Sequence, residues 1–179
     1  MWLFRNVGVI MKLFVASDIH GSYAYCKKMI DKFNEDNYDY LVLLGDILYH
    51  GPRNDLSMEY DPKKVSDLLN LYKDKIVCVR GNCDAEVDQM MLDFSIEEKN
   101  MLIINNDKKI FLTHGHIYNE NNLPPLRDID YLFCGHTHRK LLTEVDGVTV
   151  VNPGSVSLPK DGTNSYFVMD DDKITFYEL

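Results

Sequence analysis

Two short doublets in this chain bring together side chains that bind metal ions. Asp18-Ile19-His20 lies near the start, and His136-Thr137-His138 lies near the end. Each sets two ligating side chains two residues apart, a spacing that points both to one side of an extended segment. Both doublets adjoin apolar runs that read as buried strands, Leu13-Phe14-Val15-Ala16 and Tyr131-Leu132-Phe133-Cys134. Packing gives no reason for a polar pair beside such runs. A bound cation would compensate the burial of these groups.

Further ligand types collect in similar places. Asp46 follows Leu43-Leu44-Gly45, Asn82 follows Val79-Arg80-Gly81, and His114 follows Phe111-Leu112-Thr113. Ligands of open α/β sheets bind beyond the carboxyl ends of strands. Five segments are therefore expected to deliver seven ligands to one edge: Asp18, His20, Asp46, Asn82, His114, His136 and His138. Seven is too many for one ion. Two ions sharing a bridging Asp would receive four protein ligands each and keep positions open for water and substrate. Imidazole, carboxylate and amide ligation without thiolate suits manganese, nickel, cobalt, iron or zinc. Two such ions about 3.5–4 Å apart form a clamp for in-line phosphoryl displacement.

The elements that must position these residues can be read from periodicity. Lys12–Ala16, Tyr40–Leu44 and Ile76–Val79 read as buried strands. Ser22 is a candidate N-cap for a helix to about Asn34, with Tyr25, Met29 and Phe33 on one face. Asp61-Pro62 opens a second helix, striped by Val65, Leu68, Leu69 and Tyr72. The second half is rich in short strands: Met101–Ile104, Ile110–Thr113, Tyr131–Cys134, Leu141–Val145, Val148–Val151, Tyr166–Met169 and Ile174–Tyr177. Asp146-Gly147 and Asp171-Asp172 look like hairpin turns. The expected architecture is α/β, two packed sheets flanked by helices.

Composition narrows the function. The 179 residues suit one domain spanning 1–179. A formal net charge of −9 argues against nucleic-acid polymers and anionic membranes as partners. It leaves room for a small phosphate substrate, because bound cations reverse the local field. Four cysteines without CxxC spacing read as reduced thiols, which points to the cytoplasm. The apolar start MWLFRNVGVI is barely charged and is interrupted at Arg5-Asn6, unlike a signal peptide. Met11 is an alternative start, which makes residues 1–10 an extension of little consequence to the site. No run of about 18 apolar residues predicts a transmembrane helix. Met90-Met91 and Leu123-Pro124-Pro125-Leu126 read as core or as contacts between copies, leaving a homo-oligomer open.

Taken as ordered blocks, the stretches SDIHGS, LLGDILYHGPRN, VRGNCDAEVDQM, FLTHGH, CGHTH and NPGSVSLPK resemble the calcineurin-like metallophosphoesterases. They are nearest to the small bacterial phosphodiesterases of the YfcE type, from about Met11 to the C-terminus. The resemblance implies a four-layer α-β-β-α sandwich of two mixed sheets with a binuclear site at strand carboxyl ends. It implies two divalent transition-metal ions, manganese foremost. Asp18, His20, Asp46 and His138 would hold the first, and Asp46, Asn82, His114 and His136 the second, with Asp46 bridging. A hydroxide held between them would attack the phosphorus of a small phosphodiester.

One position departs from the wider superfamily. Where many members have a His after Gly-Asn, this chain has Cys83, a poorer match to protonating a leaving alkoxide. Asp84 and His116 are the candidates for proton transfer or for orienting ligands, and Arg53 is the candidate for meeting the substrate phosphate. His50 reads as a rim residue, and Asn152-Pro153-Gly154-Ser155 as a turn packed under the site. The same metal site would also serve a phosphomonoesterase. A non-catalytic metal-binding scaffold, as in the vacuolar sorting subunit Vps29, is the reading from another class. Completeness of the seven ligands disfavours it.

Overall fold

The computed structural model describes residues 10–179 and, by backbone alone, Leu3–Arg5; the rest of the 1–10 extension lies outside the described residues. Two mixed sheets face each other. The five-stranded sheet has the order β11-β10-β2-β3-β4, from β2 (Leu13–Ala16), β3 (Tyr40–Leu43), β4 (Ile76–Cys78), β10 (Ser165–Asp170) and β11 (Lys173–Glu178). The six-stranded sheet has the order β1-β5-β6-β7-β9-β8. It comprises β1 (Leu3–Arg5), β5 (Asn100–Asn105), β6 (Lys108–Thr113), β7 (Tyr131–Phe133), β8 (Lys140–Val145) and β9 (Val148–Pro153).

Parallel pairing decides where the site can form. Strands β2, β3 and β4 run parallel, as do β6 and β7, so within each sheet these carboxyl ends share one edge. All five are short and fully or largely apolar, as strands covered on both faces should be. Between the sheets, Leu13, Val15, Val42, Leu44 and Phe167 pack against Ile110, Leu112, Phe133 and Val151. This buried layer holds the two strand edges together.

Helix α1 (Tyr23–Phe33) starts at Ser22, whose side chain accepts from Tyr25 N. Helix α2 (Pro62–Asn70) starts at Asp61, which accepts from Lys64 N. Both caps are those the sequence marks. Their buried faces (Met29, Ile30, Phe33, Val65, Leu69) cover Phe14, Leu41 and Leu43 on the outer side of the five-stranded sheet. Helix α3 (Glu86–Gln89) is a single turn that apolar periodicity did not reveal.

Among the described residues helices are thus few. The outer face of the six-stranded sheet is covered by Tyr118, Leu123 and Ile129 from the connection after β6, where a fourth, helical layer was expected. Two more features went unread. Asn106 and Asp107, with φ of 46° and 62°, close a β5–β6 hairpin without the glycine that usually signals one. Leu3–Arg5, in the stretch expected to be of little consequence to the site, pairs in parallel with Leu102–Ile104 as an edge strand.

Candidate metal centre

The strand ends bring the seven expected ligands together, though not by the extended geometry that the i, i+2 spacing suggested. Strands β2 and β7 stop before the doublets. Asp18, His20, Asp46, His136 and His138 have φ values of 60°, 47°, 57°, 67° and 57°. Left-handed backbone costs an L-residue roughly 1–2 kcal/mol, and Asp and His are among the side chains found there most often. These turns are held from outside. Asp18 N and His20 N donate to the carbonyls of Gly45 and Asp46 at 3.1 and 2.9 Å. His136 N donates to Asp18 Oδ2 at 3.0 Å, tying the second doublet to the first. Close approach also requires glycine: a β-carbon at Gly81 would collide with Asp46 Oδ1, and one at Gly135 with Ser17 Oγ.

Three of the histidines are fixed in one tautomer. His20 Nδ1 meets the carbonyl of Tyr49 at 2.8 Å, His114 Nδ1 that of Leu44 at 2.7 Å, and His138 Nδ1 that of Leu158 at 2.6 Å. A carbonyl only accepts, so each Nδ1 carries the hydrogen and each neutral ring presents the lone pair of Nε2 inward. Those atoms converge. His138 Nε2 lies 3.1 Å from Asp18 Oδ1 and 3.2 Å from His20 Nε2. His114 Nε2 lies 3.3 Å from Asp46 Oδ2, 3.0 Å from Asn82 Oδ1 and 3.3 Å from His136 Nδ1. His136 therefore addresses the centre through Nδ1.

The carboxylates are divided in the same way. Asp18 Oδ2 accepts from Ser17 Oγ, while its buried Oδ1 has no hydrogen-bond partner. Asp46 Oδ1 accepts from Cys83 N at 2.8 Å, leaving Oδ2 facing both His20, at 3.7 Å, and His114. An orphaned buried oxygen among lone-pair nitrogens is costly unless a cation compensates it. Ligand atoms of Asp18, His20 and His138, and of Asp18, Asp46 and His114, lie within 4.8 Å of one another. This donor set fits divalent transition metals.

Charge in the metal-free cluster follows from these contacts. Burial alone would push both carboxyls up, but the neighbouring imidazoles hold Asp18 well below, and Asp46 below, the ordinary carboxylate value. Burial alone would lower His114, yet the contact with Asp46 and the charge of Asp18 raise it to about 9. Burial and His114 lower His136 to about 4. His114 therefore carries a proton at neutral pH until a metal displaces it. Metal loading should release roughly one proton near pH 7, and apparent affinity should climb with pH until it levels off at about 9. Calorimetry of metal binding in buffers of different ionisation enthalpy reads that proton directly; identical heats would contradict it.

The remaining expected residues are distributed unequally. Arg53 lines a cavity of about 550 Å³ over the cluster, together with Tyr49, Asn54, Asn82, Thr137 and Lys160. Asp84 does not reach this space. It is buried, Oδ2 accepting from Asp46 N and Gly81 N at 2.8 and 2.7 Å and Oδ1 from Ile47 N at 2.8 Å. Each contact of its carboxylate is to a backbone amide, which suits a clamp; of the two roles open to it in the sequence, proton transfer or orienting ligands, this geometry favours the second. His116 is exposed, its ring 5.5 Å from that of His114. His50 sits between the rings of Tyr49 and Tyr60, outside the cluster.

Cys83 lines the cavity, and its Sγ comes within 4.8 Å of ligand atoms of His20 and Asp46, although the donor count from sequence left thiols out. Burial and the charge of Asp46 push it up to about 12, so it stays a neutral thiol in the metal-free chain.

The segment Asn152-Pro153-Gly154-Ser155 at the end of β9, read from the sequence as a turn packed under the site, braces it directly. Asn152 Nδ2 donates to Gly135 O at 2.7 Å, Ser155 Oγ to Asp18 O at 2.9 Å, and Leu158 supplies the carbonyl for His138. A short run of side-chain donors beside a Gly was the available signal. Tyr49, Asn54 and Lys160 offered none, because they act through loop placement.

These candidate ligands at the joined edges of two mixed sheets are of the kind a metal-dependent phosphoesterase requires. The calcineurin-like phosphoesterase superfamily domain matches residues 11–173, and the chain belongs to that family. It is similar to Phosphodiesterase YfcE of Escherichia coli (strain K12), 43% identical over 171 residues, covering 95% of this chain and 93% of that one. A solved structure of that E. coli phosphoesterase superposes with a TM-score of 0.89 at 44% identity, covering 92% of this chain and 91% of that one. Phosphodiesterase MJ0936 of Methanocaldococcus jannaschii is 27% identical over 178 residues, 94% of this chain and 98% of that one. Vps29 of Entamoeba histolytica shares the fold at 20% identity, with a TM-score of 0.59 over 94% of this chain and 98% of that one.

Proposed function

We propose that this chain is a metal-dependent phosphodiesterase acting on small phosphodiesters. The observation that carries the reading is the buried cluster in which Asp18 Oδ1 lacks a hydrogen-bond partner and inward-facing imidazole nitrogens crowd to 3.2 Å. Asp18, His20, Asp46 and His138 would hold one divalent ion. Asp46, Asn82, His114 and His136 would hold another, with Asp46 Oδ2 shared. Manganese leads among the candidate metals, and the reduced thiols fit the cytoplasm. Among the described residues no helix is long and apolar enough to cross a membrane.

When bound, the ions supply an acidified water and neutralise charge on the phosphoryl oxygens. The chain does the rest. The carbonyls of Tyr49, Leu44 and Leu158 hold the imidazoles with Nε2 turned inward, so once His114 gives up its extra proton no ring need turn before binding. Arg53 and Lys160 line the cavity where the non-bridging oxygens of a phosphodiester would lie, and Arg53 offers a paired donor. Cys83 stands where an imidazole would protonate the leaving oxygen, and His116, whose ring lies 6.1 Å from that of His136, is the remaining imidazole candidate. A thiol pushed up to about 12 is a weak acid, so the leaving oxygen would depart with little protonation from it.

Purified protein supplied with manganese, nickel or cobalt should hydrolyse an aryl phosphodiester faster than the matching monoester. Its kcat should fall steeply as the leaving-group pKa rises. Preference for the monoester would favour phosphomonoesterase action, and no hydrolysis despite two bound metals would favour a scaffold. A flat leaving-group dependence under rate-limiting bond cleavage would remove the argument from Cys83.

A further inference from the structure

A second hollow of about 250 Å³ adjoins the catalytic cavity, and Tyr49 and Cys83 line both. Most of its other walls are apolar, from Leu48, Pro62, Ala85, Val87 and Met91, with the ring of Tyr60. Val87 and Met91 keep 63% and 39% of their surface exposed on and beside α3, an unusual allowance for apolar side chains at the mouth of a charged site. The sole acid in the wall, Asp88, turns Oδ2 to Ala85 N at 2.8 Å. No basic side chain lines this hollow, whereas Arg53 and Lys160 line the catalytic cavity.

Building on the phosphodiesterase reading, we infer that this hollow is a specificity site for an uncharged apolar substituent of the diester. Charge sorts the substrate between the two spaces. An anionic phosphoryl group is drawn to the metals, Arg53 and Lys160. An ionised substituent would find no basic counter-charge and only the hydroxyls of Tyr49 and Tyr60 and the Cys83 thiol as donors, and would lose its hydration there. Size agrees, since an apolar cavity of about 150 Å³ suffices for one benzene ring. The hollow therefore takes one aromatic ring or a short alkyl chain, attached through an ester oxygen to phosphorus held across the shared Tyr49–Cys83 wall. Phosphodiesters carrying one apolar group are the substrate class it selects.

The test uses the metal-loaded protein and two diesters with the same 4-nitrophenolate leaving group, one retaining a phenyl and the other a methyl substituent. After division by the uncatalysed rates, kcat/KM should favour the phenyl ester by about tenfold or more. Combined Val87→Ser and Met91→Ser should draw that ratio toward one, chiefly through KM. Both positions are partly exposed, so the fold should tolerate them, and the melting temperature checks this. Hydrolysis of both esters at a ratio near one in both proteins would overturn the apolar site and leave the phosphodiesterase reading standing. Hydrolysis of neither would remove the reading and the site with it. An unchanged ratio accompanied by an altered elution volume would assign the patch to contact between copies of the chain and overturn the proposal.

Discussion

Asp46→Asn should lower kcat/KM on an aryl phosphodiester by about 10³-fold or more and leave fewer than two metals per chain. The size follows from what the carboxylate does at each oxygen. Oδ1 accepts the Cys83 amide, and Oδ2 is the atom that both His20 and His114 face. An amide cannot fill both roles. With its oxygen kept on Cys83 N, the amide nitrogen points two hydrogens at the metal positions. Turned over, it sets a donor against the Cys83 N–H. Either way the shared anion is lost, and losing one preorganised charge contact in an enzyme site costs about 10²–10³ in rate. Loss of a metal adds to that. Metal analysis alongside kinetics separates the two contributions, and circular dichroism shows whether the fold survives. Two bound metals and activity within tenfold of the parent would show that Asp46 does not bridge.

The second large effect concerns Asp84, and it should appear as lost stability. Its carboxylate satisfies the amides of Asp46, Ile47 and Gly81 in a site that is 5% exposed. Asp84→Ala leaves three buried N–H groups without acceptors, at about 1–3 kcal/mol each. The low end of the sum, about 3 kcal/mol, is a large part of a typical stability of about 5–15 kcal/mol. In a domain of this size it corresponds to a melting temperature lower by roughly 6–12 °C. Metal affinity should fall with it, because the freed loops carry Asp46 and Asn82. Asp84→Asn should recover part of the loss: its oxygen can serve two of the amides while its NH2 opposes the third. A proton-donor role predicts something else, an unchanged melting temperature with a rate deficit that grows with leaving-group pKa. That result would restore Asp84 to the chemistry.

Much of this was legible in the chain because the two strongest signals are local. Runs such as Leu41-Val42-Leu43 announce strands buried on both faces, and Ser22 and Asp61 announce helix starts through cap chemistry. The ligands could be read because aspartate and histidine directly after such runs have no packing role. What could not be read is tertiary. The left-handed turns at Asp18 and His20 depend on carbonyls of the loop after β3, which no i, i+2 rule encodes. Asp84 looked chemical because an acid beside Gly81-Asn82-Cys83 looks chemical. Only the fold shows that three amides already use it. The irregular cover that Tyr118, Leu123 and Ile129 provide has no period, although the asparagines and Pro124-Pro125 in that stretch do mark it as a loop. Residues lining the cavity from loops, such as Lys160, depend on where the loop lands.

The ligands come from both sheets. Asp18, His20, Asp46 and Asn82 follow strands of the five-stranded sheet, while His114, His136 and His138 follow strands of the six-stranded one. Each proposed ion draws on both sets, so each would rivet one sheet to the other across a long stretch of chain. Such a rivet acts on the folded state only and stabilises it by mass action. Resistance to heat and to proteases would then track the free metal concentration, and scarcity of the cofactor would shorten the life of the protein as well as silence it.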